Sequence, residues 1–148
     1  MSFDGSNIQN VMSKKFVDLS GSSFVPGTSI IIFTLNQAPS GTANQQWRFV
    51  PVQAGKNLYT IQNVLTGLYA SIEEPAQQNM GIISSVVSMP WEINHAGDAY
   101  SHSVTIQVPH TNLFWNVKSD ASKTNVALAN KDGSANQQWI PRTAVSAA

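Results

Sequence analysis

The string Ala-Asn-Gln-Gln-Trp stands twice in this chain, at Ala43 to Trp47 and again at Ala135 to Trp139. Five identical residues within a chain of 148 mark internal duplication, and a repeat period constrains architecture more tightly than any local propensity. The two tryptophans are 92 positions apart, with Trp91 between them at offsets of 44 and 48. The starts of the units agree as well. Asn7-Ile8-Gln9-Asn10-Val11 recurs as Thr60-Ile61-Gln62-Asn63-Val64 and, degraded, as Thr105-Ile106-Gln107-Val108-Pro109. The chain therefore reads as one domain, 1–148, built from three degenerate copies of a unit of roughly 45 residues, with lobes at about 1–54, 55–99 and 100–148.

Within each unit the apolar residues alternate with polar ones over short stretches, as half-buried strands do. The second strands read Phe16 to Leu19, Tyr69 to Ile72 and Phe114 to Val117. In each unit the third residue of that strand lies ten positions after the opening Ile. Alternation sends Val17, Leu19, Ala70, Ile72, Trp115 and Val117 to one face, and Asp18, Ser71 and Asn116 to the other. Third strands follow at Ser29 to Phe33, Gly81 to Ser85 and Asn125 to Ala129, and the fourth carries the tryptophan. No stretch has the period of a long amphipathic helix. Gly, Pro, Asn and Ser clusters punctuate the runs, so the class is all-β. A propeller usually needs four or more blades. Three four-strand units predict a β-trefoil with pseudo-three-fold symmetry.

Composition narrows the function. Charged residues make up only 11% of the chain and the formal net charge is zero, so no basic stripe is available for nucleic acid. Cysteine is absent, which removes disulfides and thiolate chemistry. His95, His102 and His110 lack the close spacing of a metal pair, and no cofactor motif is present. Glu73-Glu74 sits in a Pro-bounded turn and reads as a solvated pair, so two opposed glycosidase carboxylates are not expected. Neither an apolar run of membrane-spanning length nor a leader pattern at Met1 to Ser6 appears. The expectation is a cytoplasmic protein, released if at all by an unconventional route, with no membrane insertion.

At this point the residues resemble the ricin-B-like, or R-type, lectins, above all their small fungal members. The resemblance rests on Gln45-Gln46-Trp47 and Gln137-Gln138-Trp139, with Met89-Pro90-Trp91 as a decayed middle copy, and it covers essentially the whole chain. It implies non-catalytic binding of galactose- or N-acetylgalactosamine-type glycans, with a defence role. It also implies what a competent lobe needs: an Asp on the second strand, an aromatic ring ending the third, and an Asn before the Gln-x-Trp glutamine.

Lobe 1 has Asp18, Phe33, Asn44 and Gln45 at the matching places, with Gln45 expected to orient the carboxylate. A carboxylate can accept two sugar hydroxyls, the Asn44 amide offers a donor and an acceptor, and the ring takes an apolar sugar face. Ile31 stands where galactose-binding relatives often have Gln. Ile31 and Phe33 are expected to project outward beside Asp18, with backbone amides around Ser20 and Gly21 supplying further contacts. That apolar wall favours N-acetylgalactosamine.

Lobe 2, with Ser71 and Ser85, should be silent. Lobe 3 keeps Asn136 and Gln137 but has Asn116 for Asp and Ala129 for the ring, so binding there should be weak or absent. A single site would gain valency by self-association, which predicts a homodimer. Two other classes fit less of this pattern. A β-trefoil protease inhibitor would act through Ser22 to Gly27 or Asn36 to Thr42, and a carbohydrate-binding module detached from an enzyme lacks a flanking linker here.

Overall fold

The computed structural model describes residues 3–53, 55–97 and 102–143. The expected lobe limits at 1, 54, 99, 100 and 148, and the first two residues of the leader reading, lie outside them.

Twelve strands and no α-helix make up the described chain. The first and fourth strands of the three lobes are β1 (Phe3–Asn10), β4 (Trp47–Pro51), β5 (Leu58–Asn63), β8 (Trp91–His95), β9 (Val104–Gln107) and β12 (Trp139–Thr143). They pair in the cycle β1, β4, β5, β8, β9, β12 and back to β1, every step antiparallel. A closed cycle leaves no open sheet edge, which suits short strands rich in hydrogen-bonding side chains. The remaining strands form one hairpin per lobe: β2 (Phe16–Leu19) with β3 (Ile30–Phe33), β6 (Tyr69–Ser71) with β7 (Ile83–Ser85), and β10 (Leu113–Asn116) with β11 (Ala127–Asn130). This is the β-trefoil that the repeat predicted. Strand ends move slightly: Ile72 and Val117 lie just past their strands, and Ser29, Gly81 and Asn125 make single bridges before theirs.

Those bridges join the hairpins around the pseudo-three-fold axis. Ile30 N donates to Ile82 O (3.0 Å), Ile82 N to Val126 O (2.8 Å), and Val126 N to Ile30 O (3.0 Å). The three backbones thus satisfy one another in a ring, where otherwise buried amides would be left unpaired.

The core explains the tryptophan repeat. Trp47, Trp91 and Trp139 are fully buried, and each indole N–H donates to a carbonyl on its own lobe's second strand: Val17 (3.1 Å), Ala70 (2.9 Å) and Trp115 (3.2 Å). The ring fills volume while its polar atom finds a partner, the condition under which burying Trp is favourable. Trp115 breaks the symmetry. It occupies the place of Val17 and Ala70, packs edge-on against Trp91 (5.4 Å, 80°) and Trp139 (5.9 Å, 89°), and its own buried N–H has no partner among the described residues.

Candidate functional site

The site begins with strand phase. In the β2–β3 hairpin Asp18 stands opposite Ile31 and Phe16 opposite Phe33, so Asp18, Ile31 and Phe33 share the face turned away from the barrel core. The chain then turns sharply at Ser20–Ser22, where Gly21 and Ser22 both take positive φ (63° and 55°). Across from this turn, a 3-10 turn at Ala43–Gln45 is separated from Trp47 by Gln46 alone, and it carries Asn44 and Gln45 against the hairpin.

Asp18 is only 4% exposed, yet among the described residues the side chains that bond it are uncharged. Amides hold it instead. Asn44 Nδ2 donates to Oδ1 at 3.2 Å and Gln45 Nε2 to Oδ2 at 2.8 Å. Burial raises the carboxyl's pKa above 3.8, and the two amide bonds oppose that shift without cancelling it. Two of roughly four lone-pair positions are thereby occupied and two are left for incoming hydroxyls.

Gln45 is fully buried and does not line the cleft. Its Nε2 also donates to Thr34 O (2.9 Å), and its Oε1 accepts from Asn36 N (2.9 Å). It ties the segment after β3 and the carboxylate into one unit. Gln137 makes the equivalent backbone bonds in lobe 3, to Asn130 O (2.9 Å) and from Asp132 N (3.0 Å). The structural duty of this glutamine is therefore common to both lobes, and the contact with an acid belongs to lobe 1.

The structure brings Asp18, Ser20, Gly21, Ile31, Phe33 and Asn44 together around one cleft of about 390 Å³. Three details differ from the sequence expectations. Ile31 lies on the cleft side but is only 7% exposed, between its hairpin partner Asp18 and a bridge to Asn125 of lobe 3. The Ser20 amide donates to Ser29 O (3.2 Å) inside the hairpin, so it is not free for a ligand. Asn44 has both N–H bonds committed, one to Asp18 and one to Leu19 O (3.2 Å), and its Oδ1 accepts from the Thr42 hydroxyl. What Asn44 retains is acceptor capacity.

Ser22, Asn36 and Lys123 also line the cleft, and sequence reasoning missed them. Ser22 and Asn36 adjoin expected segments. Lys123 comes from a different lobe, and its signal is the register of the lobe-3 hairpin against β3.

The other lobes lack parts. Among the described residues a 3-10 turn precedes Trp47 and Trp139 but not Trp91. Lobe 2 places Ser71 opposite Ile83 and Tyr69 opposite Ser85, with neither acid nor terminal ring. In lobe 3 Asn116 stands opposite Ala127 and Phe114 opposite Ala129, so the position of Asp18 holds no charge and the position of Phe33 holds no ring. The histidines form no cluster with other metal-ligating side chains among the described residues. His95 and His102 line a separate cavity at the open end of the barrel with Phe49 and Tyr59. No helix among the described residues is long and apolar enough to cross a membrane.

Comparison with known proteins agrees with the fold. The profile of the ricin-type β-trefoil lectin domain-like family matches residues 43–129. Similar solved structures include the ricin B-like lectin of Macrolepiota procera in complex with lactose, 24% identical, covering 96% of this chain and 94% of that one with a TM-score of 0.77. The designed three-fold symmetric protein ThreeFoil is 22% identical, with 93% and 96% covered and a TM-score of 0.80. The C-half of the earthworm R-type lectin, in complex with GalNAc, is 16% identical, with 95% and 98% covered and a TM-score of 0.71.

Proposed function

Because this chain belongs to the ricin-type β-trefoil lectin domain-like family, we propose that it binds terminal galactose or N-acetylgalactosamine residues of glycans, without catalysis, through the lobe-1 cleft. The observation that carries this reading is the Asp18 carboxylate: nearly buried, gripped by Asn44 and Gln45, and opening beside Phe33. The two free lone-pair positions of Asp18 accept a pair of vicinal hydroxyls. Phe33 takes the C–H face of the ring, and Asn44 Oδ1 accepts a third hydroxyl. Fixing the carboxylate in advance lowers the ordering cost that a weak sugar site must overcome. Lactose and GalNAc in the structures of relatives support the sugar class.

One cleft per chain agrees with a homodimer as the functional unit, a glycan-clustering particle with a defence role. The protein would act in the cytoplasm or after unconventional release. A glycan array followed by calorimetry with lactose and N-acetylgalactosamine tests the reading. Saturable binding that disappears in a folded Asp18→Ala variant supports it, and unchanged binding in that variant refutes it.

A second reading rests on one observation: Phe24 and Val25, at the tip of the Ser22 to Gly27 loop, are 64% and 66% exposed. An exposed apolar loop is what a β-trefoil protease inhibitor would present. Inhibition of a protease panel, with no glycan bound, would favour it.

A further inference from the structure

Among the described residues Lys123 is the one cation lining the lobe-1 cleft, and lobe 3 supplies it. Its backbone is pinned: Lys123 N donates to Ile32 O at 2.8 Å, as the equivalent Gly27 does to Ser84 O (2.8 Å) and Asn79 to Leu128 O (2.7 Å). All three positions are left-handed, with φ of 72°, 90° and 70°. Gly and Asn take that conformation most readily, so a lysine there departs from local backbone preference. Such departures concentrate where a side chain serves binding.

The antiparallel bridge between Ile31 and Asn125 sets the register. Two residues further along, Phe33 lies across from Lys123. Asp18, Ile31 and Asn125 are successive cross-strand partners, and two inter-strand steps amount to on the order of 10 Å. The Lys123 backbone is therefore on the opposite wall of the cleft from Asp18. It stands beyond the ring, where the next part of a glycan would lie. Its ammonium has no partner among the described residues. Lys15, by contrast, reaches Asp120 O at 2.6 Å, and Lys131 lies over the Phe114 ring at 5.7 Å. The cleft thus has its anion at the floor and an uncompensated cation at the rim.

We propose that the lobe-1 cleft prefers galactosides bearing an anionic substituent, a carboxylate or a sulfate ester, and that Lys123 is the residue that selects them. This rests on the lobe-1 sugar reading and extends it from the terminal sugar to the charge of its neighbour or substituent. An ammonium donates charge-assisted hydrogen bonds to either anion. The pair is solvent-exposed, so the preference is modest and salt-sensitive.

Calorimetry on the full chain with lactose, the two sialyllactose isomers and sulfated lactose tests it, on wild type, Lys123→Asn and Lys123→Arg. Asparagine suits the left-handed backbone, as at Asn79, so that variant separates charge from strain. The expected result is acidic galactosides binding about two- to fivefold tighter than lactose, the range of an exposed ion pair. The advantage, read as the ratio of acidic-galactoside to lactose affinity within each protein, should vanish in Lys123→Asn and at high salt, and persist in Lys123→Arg. A gain for sialyllactose alone identifies the carboxylate as the source, and a gain for sulfated lactose alone identifies the ester. Equal affinity for neutral and acidic sugars in wild type, or a preference surviving in Lys123→Asn, overturns the role of Lys123 and leaves the lobe-1 site standing. Wild type that binds none of these lactose-based sugars overturns the charge preference, and the sugar site itself falls with it when N-acetylgalactosamine is not bound either.

Discussion

The side-chain amide of Asn63 donates to the backbone carbonyl of Asn44 at 3.0 Å, so a lobe-2 strand holds the turn on which the lobe-1 cleft depends. The relation recurs one lobe over, where Asn10 Nδ2 donates to Asn136 O at 3.1 Å. The third member would be Val108, which cannot donate. The turn it would hold, ahead of Trp91, is the one that is missing. The asparagine and the turn have been lost together, as expected of two groups whose main role is to satisfy each other.

Asn63→Ala should therefore weaken lactose binding although Asn63 does not line the cleft. Losing the bond to Asn44 O and those accepted from Thr66 should destabilise the fold by about 1–3 kcal/mol. Asn10→Ala is the control, since it loosens the lobe-3 turn by the same chemistry. Thermal melts should show similar losses for the two variants, with calorimetry showing weakened sugar binding only for Asn63→Ala. Equal sugar affinity in both would show that the tie is structural alone.

Asp18→Asn should cost the site about 1.5–3 kcal/mol of binding, the worth of hydrogen bonds to a charged group. The same substitution has a pH signature. The Asp18 pKa is raised by burial, so the folded state holds the proton more tightly than the unfolded chain does. Asp18 thus favours folding most at low pH, and that contribution is lost as pH rises from the unfolded value through the raised one. Wild type should lose stability relative to Asp18→Asn across that acid window, in melts run at several pH values. Sugar affinity should move the opposite way and fall on acidification, with a midpoint above 3.8, because the protonated acid is a poorer acceptor. A wild type that gains on the variant as pH rises would contradict the environment described for this carboxyl.

Substituting the buried tryptophans should separate their two roles. Trp47→Phe removes ring volume and also leaves Val17 O without its donor. Trp115→Phe removes similar volume but deletes an N–H that has no partner among the described residues. Trp115→Phe should be the milder change by about 1–2 kcal/mol in denaturant unfolding, the cost of an unmade buried hydrogen bond. Equal losses would mean that the Trp115 N–H is satisfied in solution.

Light scattering at micromolar concentration should report a homodimer, since one shallow cleft per chain provides avidity only when two are joined. A monomer that nevertheless agglutinates cells would require sugar binding in a second lobe.

The β-trefoil was legible because the ten-residue step from the opening Ile to the centre of each second strand sets hairpin phase, and because the tryptophans repeat. The Asp18, Phe33, Asn44 and Gln45 set was legible through the family pattern. What alternation could not show is a neighbouring lobe pairing alongside β3. Ile31 has the phase of an exposed residue, is only 7% exposed, and is bridged to Asn125 of lobe 3. Lys123 reaches the cleft through the same inter-lobe pairing, which no local period encodes. Nor does a motif reveal how a side chain's hydrogen-bonding capacity is spent: Asn44 has both donors committed within the protein, and Ser20 has used its amide.

The ring of backbone bonds among Ile30, Ile82 and Val126 has no first member. Each residue gives one bond and receives one, so the ring does not register the order in which the chain delivers its hairpins. A permuted chain with its termini moved to another lobe junction would still close it, whereas a chain shortened by one hairpin would leave a donor and an acceptor facing a gap. Lobe 2, with serines at the acid and ring positions, is in that sense as necessary to Asp18 as the strand on which Asp18 sits.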